Sequence, residues 1–278
     1  TFTLAKDVMP DTIQPMGFIL VRVTGGMILF RMVHRIWIRE KVKREDYGIL
    51  ILCALFGVAI NMSLFYKVLN YTTPIHAAVT MTSTPIIVFI LAIIFHGEKK
   101  LPLRIVGVVL GAIGAIIITV YGQKLETGNP NLALGNLFIL INSFSYAIYL
   151  TIVKPLMTRY HFLTIMKWMF SIGFVVILPF GYSDALAVEW GEISNKIWGE
   201  IAFVVIGTSF VAYMCNIYAL KRLRASTVGF YIYLQPVLAT IIALILGSDK
   251  LDPIKILASL IIFIGVYLVS RKPKAVKE

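Results

Sequence analysis

Apolar runs of spanning length, separated by short polar interruptions, occupy roughly 14–34, 48–67, 73–96, 103–121, 134–153, 162–181, 198–220, 225–247 and 253–270. A helix needs about 20 mostly apolar residues to cross the hydrocarbon core, so the pattern predicts nine full spans. The piece Thr1–Ala5, ahead of the loop at Lys6, Asp7 and Pro10, reads as the end of a preceding helix, which would bring the intact bundle to ten. The longer polar gaps at 122–133 and 182–197 hold Gly, Pro, Asn and acidic residues and are expected to be exposed loops.

The runs are not independent. Pro74–Glu98 and Ala225–Asp249 align at an offset of 151, which continues through Leu69/Leu220, Lys99/Lys250, Pro102/Pro253 and Gly114/Gly265. Two diverged copies of one unit follow. They are expected at 1–122 and 134–271, with an extracytoplasmic linker at 123–133 and a basic cytoplasmic tail at 272–278.

Composition agrees with the pattern. Of 278 residues, 59% are hydrophobic and 14% charged, and the mean hydropathy is +0.86. That is more apolar surface than a soluble domain buries, so the bilayer is the expected solvent. The net charge of +12 does not point to nucleic acid, because the basic residues sit in short loops between apolar runs and not on one folded face. Eighteen of the 26 Lys and Arg fall in alternate loops and the tail, against six on the opposite side. By the positive-inside rule the C-terminus is then cytoplasmic. The same assignment sends Pro74–Glu98 toward the cytoplasm and Ala225–Asp249 away from it, so the copies are inverted. Inverted repeats place a shared site near the midplane and allow its alternate exposure to the two sides. Because an inverted pair already lies within one chain, the sequence selects neither a monomer nor a homodimer. Cys53 and Cys215 lie in apolar runs without disulfide or metal spacing and are expected to be buried hydrophobes.

Candidate chemistry lies within the spans. Pro85 and Pro236 fall at mid-span in equivalent positions, where each removes a helix hydrogen bond and frees a carbonyl four residues earlier, at Met81 and Ile232. They are the expected hinges. Beside them His76, Thr80 and Thr84, and likewise Thr227, Tyr231 and Gln235, repeat every four residues on one helix face. Hydroxyls and amides facing lipid would go unpaired, so these stripes must face protein or water. Interhelical hydrogen bonding and a lined cavity both satisfy that condition. Asn142, Ser145, Tyr146 and Tyr149, then Ser209, Tyr213 and Asn216, and Asn61 with Tyr66 form further stripes. Arg22 is the Arg well inside a span; a charge at that depth costs about 2.5–3.5 kcal/mol on insertion scales and takes a partner or a water path, such as a substrate carboxylate. Lys167, near a span end, is expected to snorkel. Substrate contacts are therefore expected from Arg22, Asn61, His76, Thr80, Thr84, Asn142, Tyr146, Tyr213, Asn216, Tyr231 and Gln235. No HExxH, nucleophile elbow or intramembrane acid pair appears, and the four histidines are dispersed, so neither an enzyme nor a cofactor or metal site is expected. Gly107, Gly111 and Gly114 read as a close-packing surface.

Thr84-Pro85, Gly97-Glu98, the Gly107/Gly111/Gly114 helix and Tyr231-x-x-x-Gln235-Pro236, with the repeat, the span count and the inversion, resemble the drug/metabolite transporter superfamily, in particular its EamA-type ten-helix permeases. Departures are the near absence of helix one and Ser248-Asp249 in place of Gly-Glu. The resemblance implies an all-α polytopic protein of two inverted five-helix repeats in the bacterial inner membrane, with a cytoplasmic C-terminus. It further implies a secondary transporter that exports or exchanges small metabolites, most often amino acids or related polar compounds, through a midplane cavity. A lipid-intermediate flippase or a non-transporting accessory protein is the alternative. The expected partners are the metabolite and the lipid bilayer.

Overall fold

Backbone polar groups inside a bilayer must pair within their own segment, which leaves helices as the structure open to these runs. The computed structural model describes residues 8–9, 12–68, 80–97, 102–121, 132–245 and 253–270, and those residues are helical apart from short connections. In chain order the helices are α1 (Pro15–Trp37), α2 (Tyr47–Ala54), α3 (Ile60–Val68), α4 (Ser83–His96), α5 (Pro102–Val120), α6 (Leu132–Ile152) and α7 (Leu156–Arg159). They continue with α8 (Phe162–Leu186), α9 (Asn195–Phe203), α10 (Ala212–Arg222), α11 (Ala225–Phe230), α12 (Leu234–Ile245) and α13 (Pro253–Ser270). Eight stretches among the described residues are long and apolar enough to span a membrane, and α4 is a shorter apolar helix. The chain is a polytopic all-α membrane protein.

Three predicted spans are interrupted. The run at 48–67 is α2 and α3 joined through a π-helical segment, Leu55–Ala59; the run at 198–220 is α9 and α10 joined through Val204–Val211, also π-helical. These two segments overlap at the repeat offset of 151. The run at 225–247 is α11 and α12 joined by a 3-10 turn, Tyr231–Tyr233, and the equivalent Thr82 is a turn residue immediately before α4. Helix α4 therefore restarts at Ser83 and α12 at Leu234, which makes Pro85 and Pro236 the third residue of each. At that position a missing N–H costs no helix bond. The backbone departs from the α-helix just ahead of each proline and not at it.

The helices pack into two compact units, one comprising 1–71 with 148–223 and the other 72–147 with 224–278, the boundary cutting α6 after Ala147. Each unit draws on both halves of the sequence. In the first, α1 lies antiparallel to α8: Arg31 reaches Ser171 and His34 reaches Thr164, while a Cβ on Gly181 would approach the Met16 carbonyl. In the second, α5 lies antiparallel to α13. A Cβ on Gly107 would sit 2.8 Å from the Gly265 carbonyl oxygen, and one on Gly114 would sit 2.8 Å from that of Ala258. Those two contacts are images of each other at the offset of 151, since Ala258 corresponds to Gly107 and Gly265 to Gly114. Backbones this close leave no room for a side chain at Gly107 or Gly114, as in small-residue packing between membrane helices.

Around the crossing of α5 and α13, Val108, Ala115, Phe230, Tyr233, Ile262 and Val269 form a buried core. The outer faces of the same helices expose Ile105, Val109, Leu257, Leu260 and Ile264, as lipid contact requires. Cys53 is buried as expected, but Cys215 is exposed. On an outward helix face in lipid an apolar thiol gains nothing from turning inward.

Candidate functional site

In the first unit the polar groups gather at the two π-helical segments. A π turn displaces one residue from the regular i to i−4 ladder and leaves backbone groups open to other partners, which is why such turns accumulate at functional sites. Arg22, 5% exposed, sends Nε to Ser209 Oγ and Nη2 to Thr208 Oγ1, each at 3.0 Å, and both residues lie in Val204–Val211. Thr208 in turn donates to the Val204 carbonyl at 2.7 Å. The Tyr213 hydroxyl donates to the carbonyl of Gly57, in the other π-helical segment, at 3.0 Å, and its ring meets Phe170 edge-on. Asn61 and Asn216 are half-buried just beyond these features, on α3 and α10.

The repeat has not kept this chemistry on both sides. At the offset of 151, Arg22 and Ser209 correspond to Gly173 and Val58, and those two residues also touch: a Cβ on Gly173 would lie 2.8 Å from Val58 Cγ1. One of two equivalent contacts is thus a charged hydrogen bond and the other apolar packing. Backbone geometry does not demand the arginine there.

In the second unit the polar contacts surround the breaks before the two prolines. Thr84 is buried and donates to Ser143 Oγ at 2.8 Å, next to buried Asn142 and one turn before half-buried Tyr146 on α6. The Tyr233 hydroxyl donates to the carbonyl of Thr82 at 2.9 Å. Thr82 and Tyr233 are themselves 151 residues apart, so this bond joins the two equivalent breaks directly. Of the expected free carbonyls, that of Ile232 lies in the 3-10 turn and that of Met81 in the helical residue just before the turn at Thr82, and the carbonyl that receives a hydroxyl is that of Thr82. Half-buried Thr80 offers its carbonyl to Ser83 Oγ at 2.7 Å. Tyr231 is 46% exposed and Gln235 is exposed too; His76 lies outside the described residues.

Of the residues singled out from sequence, the structure ties Arg22 and Tyr213 to the π-helical segments and Thr84 to α6. Thr208, Ser209, Ser143 and Tyr233 were not singled out as substrate contacts. Tyr233 had a signal: it is the repeat partner of Thr82, two residues before Thr84.

Outside the spans, the connection before α8 carries its own polar clasp. Asp46 accepts from Arg159 Nη1 and from the Tyr160 hydroxyl, each at 2.6 Å, and Tyr160 accepts from the Lys43 amide. The bond to Asp46 holds the Tyr160 phenol above its ordinary pKa. His161 accepts from the Leu163 amide through Nδ1 and caps α8, while burial, and secondarily Lys221, pushes its pKa below 6.5 against the opposing pull of Glu40.

The profile described as the EamA-like transporter family matches residues 1–120 and 133–271. The chain belongs to that family. An uncharacterized transporter of Archaeoglobus fulgidus is 25% identical over 264 residues, covering 94% of this chain and 90% of its own length. The uncharacterized transporter YyaM of Bacillus subtilis is 22% identical across 89% of this chain and 81% of its own. Protein RarD of Salmonella typhimurium is 24% identical across 81% and 75% respectively. A solved crystal structure shares the fold at a TM-score of 0.78 and 15% identity, covering 97% of this chain and 91% of that one. EamA-family membership makes this chain a membrane transporter and not an enzyme.

Proposed function

We propose that this EamA-family transporter is a secondary carrier that exports or exchanges small polar metabolites, amino acids foremost, by alternating exposure of a cavity between its two inverted repeats. Its C-terminus faces the cytoplasm of a bacterial inner membrane. The observation that carries the reading is the interruption of repeat-equivalent spans, π-helical at Leu55–Ala59 and Val204–Val211 and turned at Thr82 and Tyr231–Tyr233, each beside a polar side chain. Broken helices are where carriers expose backbone and polar groups to substrate at mid-membrane depth, and they bend without unpacking the rest of the span.

Arg22 is the carboxylate partner, with the Thr208 and Ser209 hydroxyls among the groups that hold it. Asn61, Thr80, Thr84, Asn142, Tyr146, Tyr213, Asn216, Tyr231, Gln235 and His76 supply the remaining donors and acceptors. Pro85 and Pro236 keep the restart of α4 and α12 fixed while the preceding turns move.

The test is counterflow of a labelled amino-acid panel in proteoliposomes. Loss of a charge-assisted bond is worth about 1.5–3 kcal/mol, so Arg22→Gln should cut uptake of carboxylate substrates by about 10- to 100-fold. Uncharged members of the panel should lose less. Uptake unchanged for every substrate would remove Arg22 from the cavity. No counterflow from folded protein, with lipid translocation instead, would replace the metabolite carrier by a lipid flippase.

A further inference from the structure

A second basic cluster lies apart from Arg22. Nine residues separate Arg22 from Arg31 on α1, about 14 Å at 1.5 Å per residue. There, Arg31, His34 and Arg35 follow the i, i+3, i+4 spacing that puts three side chains on one helix face. Arg39 follows past the helix end, and Lys167 reaches in from antiparallel α8. Together with Ile38 these five line a cavity of about 480 Å³.

The internal partners of the cluster are neutral. Arg31 Nε donates to Ser171 Oγ at 3.0 Å, and His34 Nε2 pairs with Thr164 Oγ1 at 3.1 Å. One carboxylate borders the cluster: Glu40 Oε2 accepts from the His161 amide at 2.9 Å and from Thr164, the hydroxyl partner of His34, at 2.6 Å, a single negative charge against four cationic side chains. Among the described residues, no ion pair engages Arg31, Arg35, Arg39 or Lys167. Four cationic side chains so arranged repel one another, and an anion in the cavity offsets that repulsion.

Neither the fold nor topology accounts for the convergence. At the repeat offset the equivalents of Arg31, His34, Arg35, Arg39 and Lys167 are Tyr182, Ala185, Leu186, Trp190 and Met16, none of them a cation. The same backbone therefore packs without the cluster. The positive-inside rule is satisfied by cations scattered through a loop, whereas here two arginines and a lysine belong to packed helices and point into one space.

The surroundings select the anion. Alternating with the arginines on α1 are Ile28, Met32, Ile36 and Trp37, all exposed, Trp37 by 76%. An amphiphile can place its phosphate in the cavity and its acyl chains along that apolar face; a soluble phosphate ester gains nothing from the second half of the arrangement. Basic pockets between membrane helices hold lipid head groups on this principle. We propose that the cavity of Arg31, His34, Arg35, Arg39 and Lys167 is a binding site for the phosphodiester head group of an anionic phospholipid, which bridges α1 and α8.

The test measures retention of phosphatidylglycerol and phosphatidylcholine by the purified transporter in neutral detergent, by native mass spectrometry, alongside the thermal stabilisation each lipid confers. Arg35→Gln/Arg39→Gln removes two exposed cations of the cavity without touching the bonds of Arg31 and His34. Lys41→Gln/Arg44→Gln removes the same charge from the adjoining loop. Phosphatidylglycerol should bind at least 10-fold tighter than phosphatidylcholine and raise the melting temperature. The cavity variant should lose most of that preference, the loop variant should keep it, and both should melt like the parent without lipid. Equal loss in both variants would reduce the effect to general surface charge, and equal binding of the two lipids would eliminate the site. Competition by inorganic phosphate at the same concentrations would assign the cavity to a soluble anion and overturn the lipid.

Discussion

Individual residues carry unequal information in this chain. Arg22 stands out in the sequence because a charge within a span is costly, and the structure holds it between Thr208 and Ser209. Tyr231 stands out equally by its register with Thr227 and Gln235, yet the buried hydroxyl of that turn belongs to Tyr233, two residues on. The difference arises because Tyr231–Tyr233 is a 3-10 turn: its three residues per turn rotate side chains away from the positions that α-helical spacing assigns. His161 yields a prediction at this scale. Its Nδ1 accepts the cap of α8 and so must be unprotonated, and its folded pKa lies below the ordinary 6.5. The unfolded chain therefore binds the extra proton first. Stability is full above about 6.5 and declines as pH falls through the window below it. Melting curves between pH 8 and pH 5 should display that decline, and His161→Asn, which retains a capping acceptor without a titrating group, should make it shallower. Equal slopes for the two proteins would dismiss the cap as the cause.

At the scale of elements, the apolar runs locate the spans because burying a backbone in lipid leaves no alternative to a helix. Their internal breaks are harder to read. A π-helical segment such as Leu55–Ala59 adds one residue to a run without changing its apolar character, so no hydrophobic signal marks it. The prolines point to the neighbourhood of the other two breaks, although the turns precede them. The glycines are legible: Gly107, Gly111 and Gly114 announce a close crossing, and α13 supplies it through Gly265. Gly107→Val would force α5 and α13 apart and should cost about 1–3 kcal/mol, seen as a clearly lowered melting temperature in detergent. Gly48→Val, where a Cβ meets nothing within 4 Å, should cost less. If the two variants melt together, the crossing does not bear on stability.

For the whole molecule, the duplication explains why contact units and sequence halves differ. Equivalent helices, α1 with α8 and α5 with α13, pack on each other, so each unit is completed by one copy's contribution to the other. Orientation belongs to this scale as well. With eighteen of the 26 Lys and Arg in alternate loops and the tail, a green fluorescent protein fused after Glu278 should fold and fluoresce in bacterial cells, and alkaline phosphatase fused there should be inactive. The opposite pair of results would invert the assignment.

Sequence alone determined the membrane environment, the helical class, the repeat and its inversion, since each depends on composition, run length or an offset that survives without contacts. Tertiary structure alone decided which polar residues meet. Hydrogen bonds such as Arg22 with Ser209 and Tyr233 with Thr82 join positions 187 and 151 residues apart, and helical periodicity fixes a face but not the helix opposite. The basic cavity is of the same kind: its arginines read as topology along the chain, and they become a binding site only because antiparallel α8 brings Lys167 beside them.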